Sequence, residues 1–169
     1  FLRDLEKRGM VCPRLIIGDG NLGIWDSVKN VYPEACEQRC WNHKIVNVID
    51  KLPKKKQASA SELLKKIPYA ETKADADGLK SEFQNWCRNQ NFHDAAKNIE
   101  HDWERMVSFY SFPKDHWRHL RTTNIIESPF AYLRLRTNAA KRFKKVENAT
   151  AVIWKMLLVS ESRFHRLNA

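Results

Sequence analysis

Glycine and proline are scarce in this chain of 169 residues, at five and six, too little turn material for a many-hairpinned all-β fold. Cysteine is sparse and irregular. Cys12, Cys36, Cys40 and Cys87 follow no framework spacing, and a chain of this length can build a core without disulfide staples. They read as reduced thiols, as in a cytosolic or nucleoid setting. Acidic side chains fall short of basic ones, 20 against 30, which leaves a net charge of +10 and an isoelectric point near 9.6. That balance suits a polyanion, above all nucleic acid, with a basic membrane-surface protein as the competitor. No apolar run approaches the ~20 residues of a spanning helix, and no signal-peptide pattern is visible, so no membrane partner is expected.

What is present is a hydrophobic content of 43%, with 11% aromatics and six tryptophans. A disordered tail is excluded, and large rings suggest a helical core. The organising stretch is Leu15-Ile16-Ile17-Gly18-Asp19-Gly20. Its apolar β-branched run predicts a strand buried on both faces, and Asp19 falls where that strand ends. Ligands of open α/β sheets bind beyond the carboxyl ends of strands, and flanking glycines allow a turn and a close approach. An Asx-turn explains the same aspartate without any ligand.

Phe1 to Arg8 predicts a helix stopped by Gly9, and Gly23 to Val31 a second helix before Pro33. Ala35 to Trp41 alternates as a short strand, and Ile45 to Leu52 has helical spacing. Pro53-Lys54-Lys55-Lys56 reads as a charged, solvated linker. From 57 to 112 only helices are predicted. Ser59 or Ser61 caps Leu63 to Ile67. Thr72 and Asp75 form a capping box opening a helix to about Asn89, with Leu79, Phe83 and Trp86 inward. A further helix runs from Asp94 to Tyr110, burying Ile99, Trp103, Met106, Val107 and Tyr110. Another starts at Asn124 with Glu127 as its N3 partner, or at Ser128 with Pro129 at N1, and runs to about 142. The last helix, 149–166, buries Val152, Ile153, Leu157 and Val159.

Three features line up: Asp19 at a strand end, Cys40-x-x-His43 after the next strand, and Glu127 at a helix start. Capping explains Glu127 on spacing alone. Cys36, Cys40 and His43 lack a fourth ligand at regular finger spacing, so no zinc is expected. Lys54 to Lys56, Lys65 and Lys66 read as a solvated face. Arg39, Lys44, Arg121, Arg134, Arg136, Lys141, Arg142, Lys144 and Lys145 flank the candidate elements and are better placed for phosphate contact.

With these features the sequence resembles the catalytic region of Mutator-type bacterial insertion-sequence transposases, DDE recombinases with an RNase H-like core. The resemblance rests on Phe1-Leu2-x-x-Leu5-x-x-Arg8-Gly9, Asp19-Gly20, Gln38-Arg39-Cys40-Trp41-x-His43-Lys44, Leu52-Pro53-Lys54, Phe109-Tyr110-x-Phe112-Pro113, His116-Trp117 and Leu120-Arg121-Thr122-Thr123-Asn124-Ile125-Ile126-Glu127-Ser128. The last string is the most specific. The implied fold is a predominantly helical α/β domain. Residues 1–49 would be part of the RNase H-like core, 50–115 an all-helical insertion, and 116–169 the return to the core.

The resemblance implies that Asp19 is the second catalytic carboxylate and Glu127 the third, with Cys40, His43 and Asn124 supporting them. It implies Mg²⁺, with Mn²⁺ as a substitute. Phosphodiester cleavage and strand transfer use two such ions on the attacking and leaving oxygens, and Mg²⁺ is a hard ion that takes oxygen ligands. Implied partners are insertion-sequence ends and target DNA, with a homodimer or higher oligomer in the full-length protein, in the cytoplasm at the nucleoid.

The chain departs from the pattern at Asn21, where the family has His, at Ile125, where it has Pro, and at Pro129. The first catalytic aspartate of the family belongs upstream of Phe1, and Asp4 does not match it. The chain alone is therefore expected to be inactive. The alternative is a non-catalytic DNA-binding or domesticated relic module.

Overall fold

The computed structural model describes residues 1–164, apart from the side chain of Leu22. The chain divides into two compact units, Phe1–Thr122 and a second beginning at Thr123. It is a predominantly helical α/β protein. Helix α1 (Leu2–Lys7) precedes strand β1 (Leu15–Gly18), helix α2 (Leu22–Val31) and strand β2 (Cys36–Arg39). Gly9, at φ +93°, ends α1 as the sequence predicts. The strands pair in parallel, from Leu15 against Cys36 to Gly18 against Arg39, with α2 as the crossover that parallel pairing requires. Leu15, Ile16 and Ile17 are half-buried, not fully covered. Among the described residues the sheet has only two strands, which limits the cover.

Helix α3 (Trp41–Ile49) starts directly after β2. The expected linker at 53–56 is instead the start of α4 (Lys54–Lys66), with Pro53 at the N-cap position and Ser59 and Ser61 inside the helix. Lysine is a good helix former. The amide of Gln57 donates to the carbonyls of Ile49 and Leu52, closing the turn between α3 and α4. A 3₁₀ turn (Ile67–Tyr69) leads to α5 (Lys73–Asn89).

The expected helix from Asp94 to Tyr110 is broken. Helix α6 (His93–Glu100) and α7 (Trp103–Val107) are separated at Asp102, which sits at φ +65°. After two further 3₁₀ turns, at Ser108–Ser111 and Lys114–His116, a short α8 (Trp117–Leu120) closes the first unit. Its core is helical: Trp41, Val48, Leu64, Ile67, Phe83, Ile99, Met106 and Phe109 are all nearly inaccessible. Val28, Tyr32 and Ala35 form a smaller cluster under α1 and β1.

The second unit pairs α9 (Asn124–Ala139) with α10 (Val146–Glu161). Neither helix buries a residue fully. Val152, Leu157 and Val159 are half-buried, and Ile153 is exposed. Helix α9 stops three residues short of 142, ahead of a left-handed Lys141, and α10 starts three residues before 149. The end expected at 166 lies outside the described residues. Among those residues, no helix is long and apolar enough to cross a membrane.

The capping box of α5 is complete. The Thr72 hydroxyl accepts from the Asp75 amide at 3.1 Å, and the Asp75 carboxylate accepts from the Thr72 amide at 3.1 Å. Replacing Thr72 by Ala is expected to cost about 1 kcal/mol, read as a lower urea midpoint with an unchanged m value.

Candidate functional site

Asp19 follows the last residue of β1 and is exposed. Its Oδ1 accepts from the Asn21 amide at 3.0 Å, and the Asn21 side chain accepts from the Gly23 amide at 3.1 Å, capping α2. The Asx-turn is therefore real, and it orients the carboxylate. The two glycines answer to different constraints. A Cβ on Gly18 would lie 3.0 Å from the Trp25 ring. Gly20 sits at φ +98°, and a Cβ there would lie 2.3 Å from Nε of Arg39. The close approach expected of these glycines is made to the protein's own Trp25 and Arg39.

Arg39 and Lys44, expected to contact phosphate, are both buried. The Arg39 guanidinium pairs with Asp102 through Nη1 and Oδ2 at 2.6 Å. Asp102 also takes Arg105 Nη1 at 2.8 Å and His101 Nδ1 at 2.9 Å, while Arg105 Nε donates to Glu37 at 2.5 Å. Burial opposes ionisation of Asp102, but His101, Arg105 and Arg39 outweigh it and hold its pKa below the usual value. The Lys44 ammonium donates to the His101 carbonyl at 2.6 Å. Both cations are engaged inside the fold, although the Arg39 Nε is buried without a hydrogen-bond partner.

Arg121 is half-buried. Its guanidinium lies 4.7 Å from the centre of the Tyr69 ring and 5.3 Å from that of Phe109, and its carbonyl accepts from the Trp41 amide at 2.9 Å. Burial lowers its pKa. Stacking on two rings gives it a packing role.

Cys40 is buried at the N-cap of α3, and its amide donates to the Gly18 carbonyl at 2.7 Å. This bond ties the start of α3 to the end of β1, beside Asp19. His43 is exposed on the first turn of α3, with a ring nitrogen within 4.8 Å of the Cys40 sulfur.

In the second unit Glu127 is exposed in the first turn of α9. Thr123, not Asn124 or Ser128, is the N-cap residue, so Asn124 is the first helical residue and Pro129 lies inside the helix. Glu127 is thus one position beyond N3, and α9 has no capping box. Instead the Thr123 hydroxyl donates to the Glu127 carboxylate. Arg134, Arg136, Lys141 and Arg142 are exposed.

Sequence reasoning misses Glu37, Gln38, Asp102 and Arg105 as residues that build the site. Gln38 is fully satisfied: its side-chain amide donates to the carbonyls of Met106 and Arg39, and its oxygen accepts from the Phe109 amide. No local signal points to Asp102, because the apolar stripe of Ile99, Trp103 and Met106 runs on past it.

Burial first, and Arg39 second, push the Lys44 pKa from 10.5 down to about 8. Between those values the unfolded chain binds more protons than the folded one, so this lysine's contribution to stability rises with pH. The stability difference between the wild type and Lys44→Met should shift in favour of the wild type from pH 8 to 10.5. Urea melts of both proteins at stepped pH check this, because other groups titrate in both and cancel.

Residues 1–166 match the family model described as "Transposase, Mutator family". The chain is 39% identical over 167 residues to the transposase for insertion sequence element IST2 of Acidithiobacillus ferrooxidans, covering 97% of this chain and 55% of that protein. It is 40% identical over 169 residues to the transposase for IS6120 of Mycolicibacterium smegmatis, covering 100% and 52%. The transposase for ISRM5 of Rhizobium meliloti is 26% identical over 155 residues, covering 90% and 38%. The chain spans about half the length of the first two relatives. With a family match across nearly all its residues and relatives near 40% identity, this chain belongs to the Mutator family of transposases.

Proposed function

We propose that this chain is the part of a DDE transposase carrying the second and third catalytic carboxylates, Asp19 and Glu127. Residues 1–49 and 116–169 would belong to an RNase H-like core, with 50–115 as the insertion. The observation that carries the reading is Asp19 itself: an exposed carboxylate at the end of a parallel strand, oriented by its own turn. Family membership supports the assignment of Glu127, whose carboxylate takes the Thr123 hydroxyl.

The donor chemistry fits Mg²⁺, with Mn²⁺ as a substitute, since both side chains offer hard oxygens accessible to solvent. When bound, such ions activate the attacking hydroxyl and stabilise the departing 3′-oxygen. The protein's own contribution is orientation. The Asn21 amide fixes the Asp19 carboxylate, the Thr123 hydroxyl fixes Glu127, and Cys40 anchors α3 against the strand end. Asn124 and His43 lie in the same first turns as Glu127 and Cys40. Arg134, Arg136, Lys141 and Arg142 supply phosphate contacts. The full-length protein would act as a homodimer or higher assembly on insertion-sequence ends and target DNA, at the nucleoid.

Millimolar Mn²⁺ should raise the thermal midpoint of the chain, and Asp19→Asn or Glu127→Gln should each remove most of that rise. An unchanged response in Asp19→Asn defeats the assignment and leaves the non-catalytic DNA-binding reading. With two carboxylates, the chain alone should nick supercoiled DNA poorly even with Mn²⁺.

DNA binding by this net-basic chain should weaken with salt. Replacing Arg134 and Arg136 by Gln should lessen the slope of log K against log salt by about 0.9 for each phosphate left without its arginine. Fluorescence anisotropy with a duplex oligonucleotide measures it.

A further inference from the structure

The turn that carries Asp19 does not stand on β1 alone. Beneath Gly20 lies the Arg39 guanidinium, so close that a single added carbon would overlap it. Arg39 comes from β2, and its side chain is 9% exposed. Asp102 holds it from 63 positions along the chain, with a carboxylate only 8% exposed. Asp102 reaches it from a left-handed backbone, at the break between α6 and α7. Arg105 fixes the other oxygen of Asp102, and is fixed in turn by Glu37 on β2. Arg105 also lies 5.4 Å from the ring centre of Trp25, the side chain against which Gly18 packs.

We propose that the Arg39–Asp102 pair is a positioning device for the Asp19 carboxylate, through which the α6–α7 break sets the place of the catalytic turn. The proposal rests on reading Asp19 as a metal-holding residue. Neither Arg39 nor Asp102 touches metal or substrate. Arg39 forms the floor on which the Asp19-Gly20 turn rests, and Asp102 keeps that floor in register. A guanidinium freed from Asp102 would move toward water, and the turn above it would lose its support. The wide reach of this pair explains why a helical segment remote in sequence bears on a strand-end carboxylate.

The test separates metal affinity from fold stability. Mn²⁺ is titrated into the 169-residue chain and followed by the EPR signal of the free ion. Thermal unfolding and the exchange rate of the Asn21 amide are measured on the same samples. Asp102→Asn is the main variant, because Asn tolerates a left-handed backbone while removing the charge that holds Arg39. Its Mn²⁺ affinity should fall about tenfold, as for other residues that orient metal ligands, and its Asn21 amide should exchange faster. Thr72→Ala is the control: it weakens the fold at the cap of α5, whose first turn pairs with α7 through Lys73 and Glu104, yet leaves the Arg39–Asp102 pair itself intact, and it should leave Mn²⁺ affinity unchanged.

If Asp19→Asn abolishes Mn²⁺ binding while Asp102→Asn binds as the wild type does, the positioning role is overturned and the site assignment stands. If Asp19→Asn itself binds like the wild type, both fall together. If Thr72→Ala loses affinity as Asp102→Asn does, the effect is one of general stability and the proposal is overturned. Should Asp102→Asn fail to fold, Arg39→Gln decides the question by the same readouts.

Discussion

A carboxylate almost out of water, facing two guanidinium groups and an imidazole, is the constraint on which the first unit depends. Desolvating Asp102 and Arg39 is costly, and their attraction repays that cost only when geometry and hydrogen bonding are good. Here Arg105 and His101 add to the pairing of Asp102 with Arg39. Removing one partner from such a buried set typically costs about 3–5 kcal/mol, because a charge is stranded. Replacing a whole set with apolar groups is often neutral. The value of the network therefore lies in register. It fixes where β2 ends, where α6 stops and which way the Asp19 turn faces.

The elements dictated by neighbours in sequence are legible. The Thr72 box and the helix to Asn89 follow from a four-residue capping pattern and a helical apolar stripe, both local. The same holds for β1 and β2, whose boundaries differ from the sequence reading by a residue or two. The α6–α7 break is not legible, because the apolar spacing of Ile99, Trp103 and Met106 continues through it. Asp102 leaves the helix for an arginine 63 positions away, and no local window contains that partner.

The placement of individual cations is equally non-local. Arg39, Lys44, Arg134 and Arg136 look alike in sequence, each a basic residue beside a candidate element. Two are exposed and two are buried, and the difference lies in Asp102 and the His101 carbonyl, which the fold supplies from the far side of the helical segment. Helix α10 shows the converse. Its apolar positions are legible, but periodicity marks a face and not the surface that covers it.

At the candidate site, the structural roles that compete with function are also what function would require. An aspartate free to rotate loses conformational entropy on holding an ion, whereas one already fixed by the Asn21 amide has lost much of it on folding. The Asx-turn is thus a means of preorganising Asp19. Glu127 stands in a similar position: one residue past the capping-box place, it takes the Thr123 hydroxyl in the first turn of α9, where the helix dipole favours a negative charge. Each carboxylate has a local reason to point where it does. Neither reason requires burial, which would disfavour the charge that a hard cation needs. Under the reading proposed above, exposed and oriented oxygens are what a hard cation would need, and at Asp19 the turn that provides them is set by the Asn21 amide and by Gly20, which sits at φ +98° against Arg39.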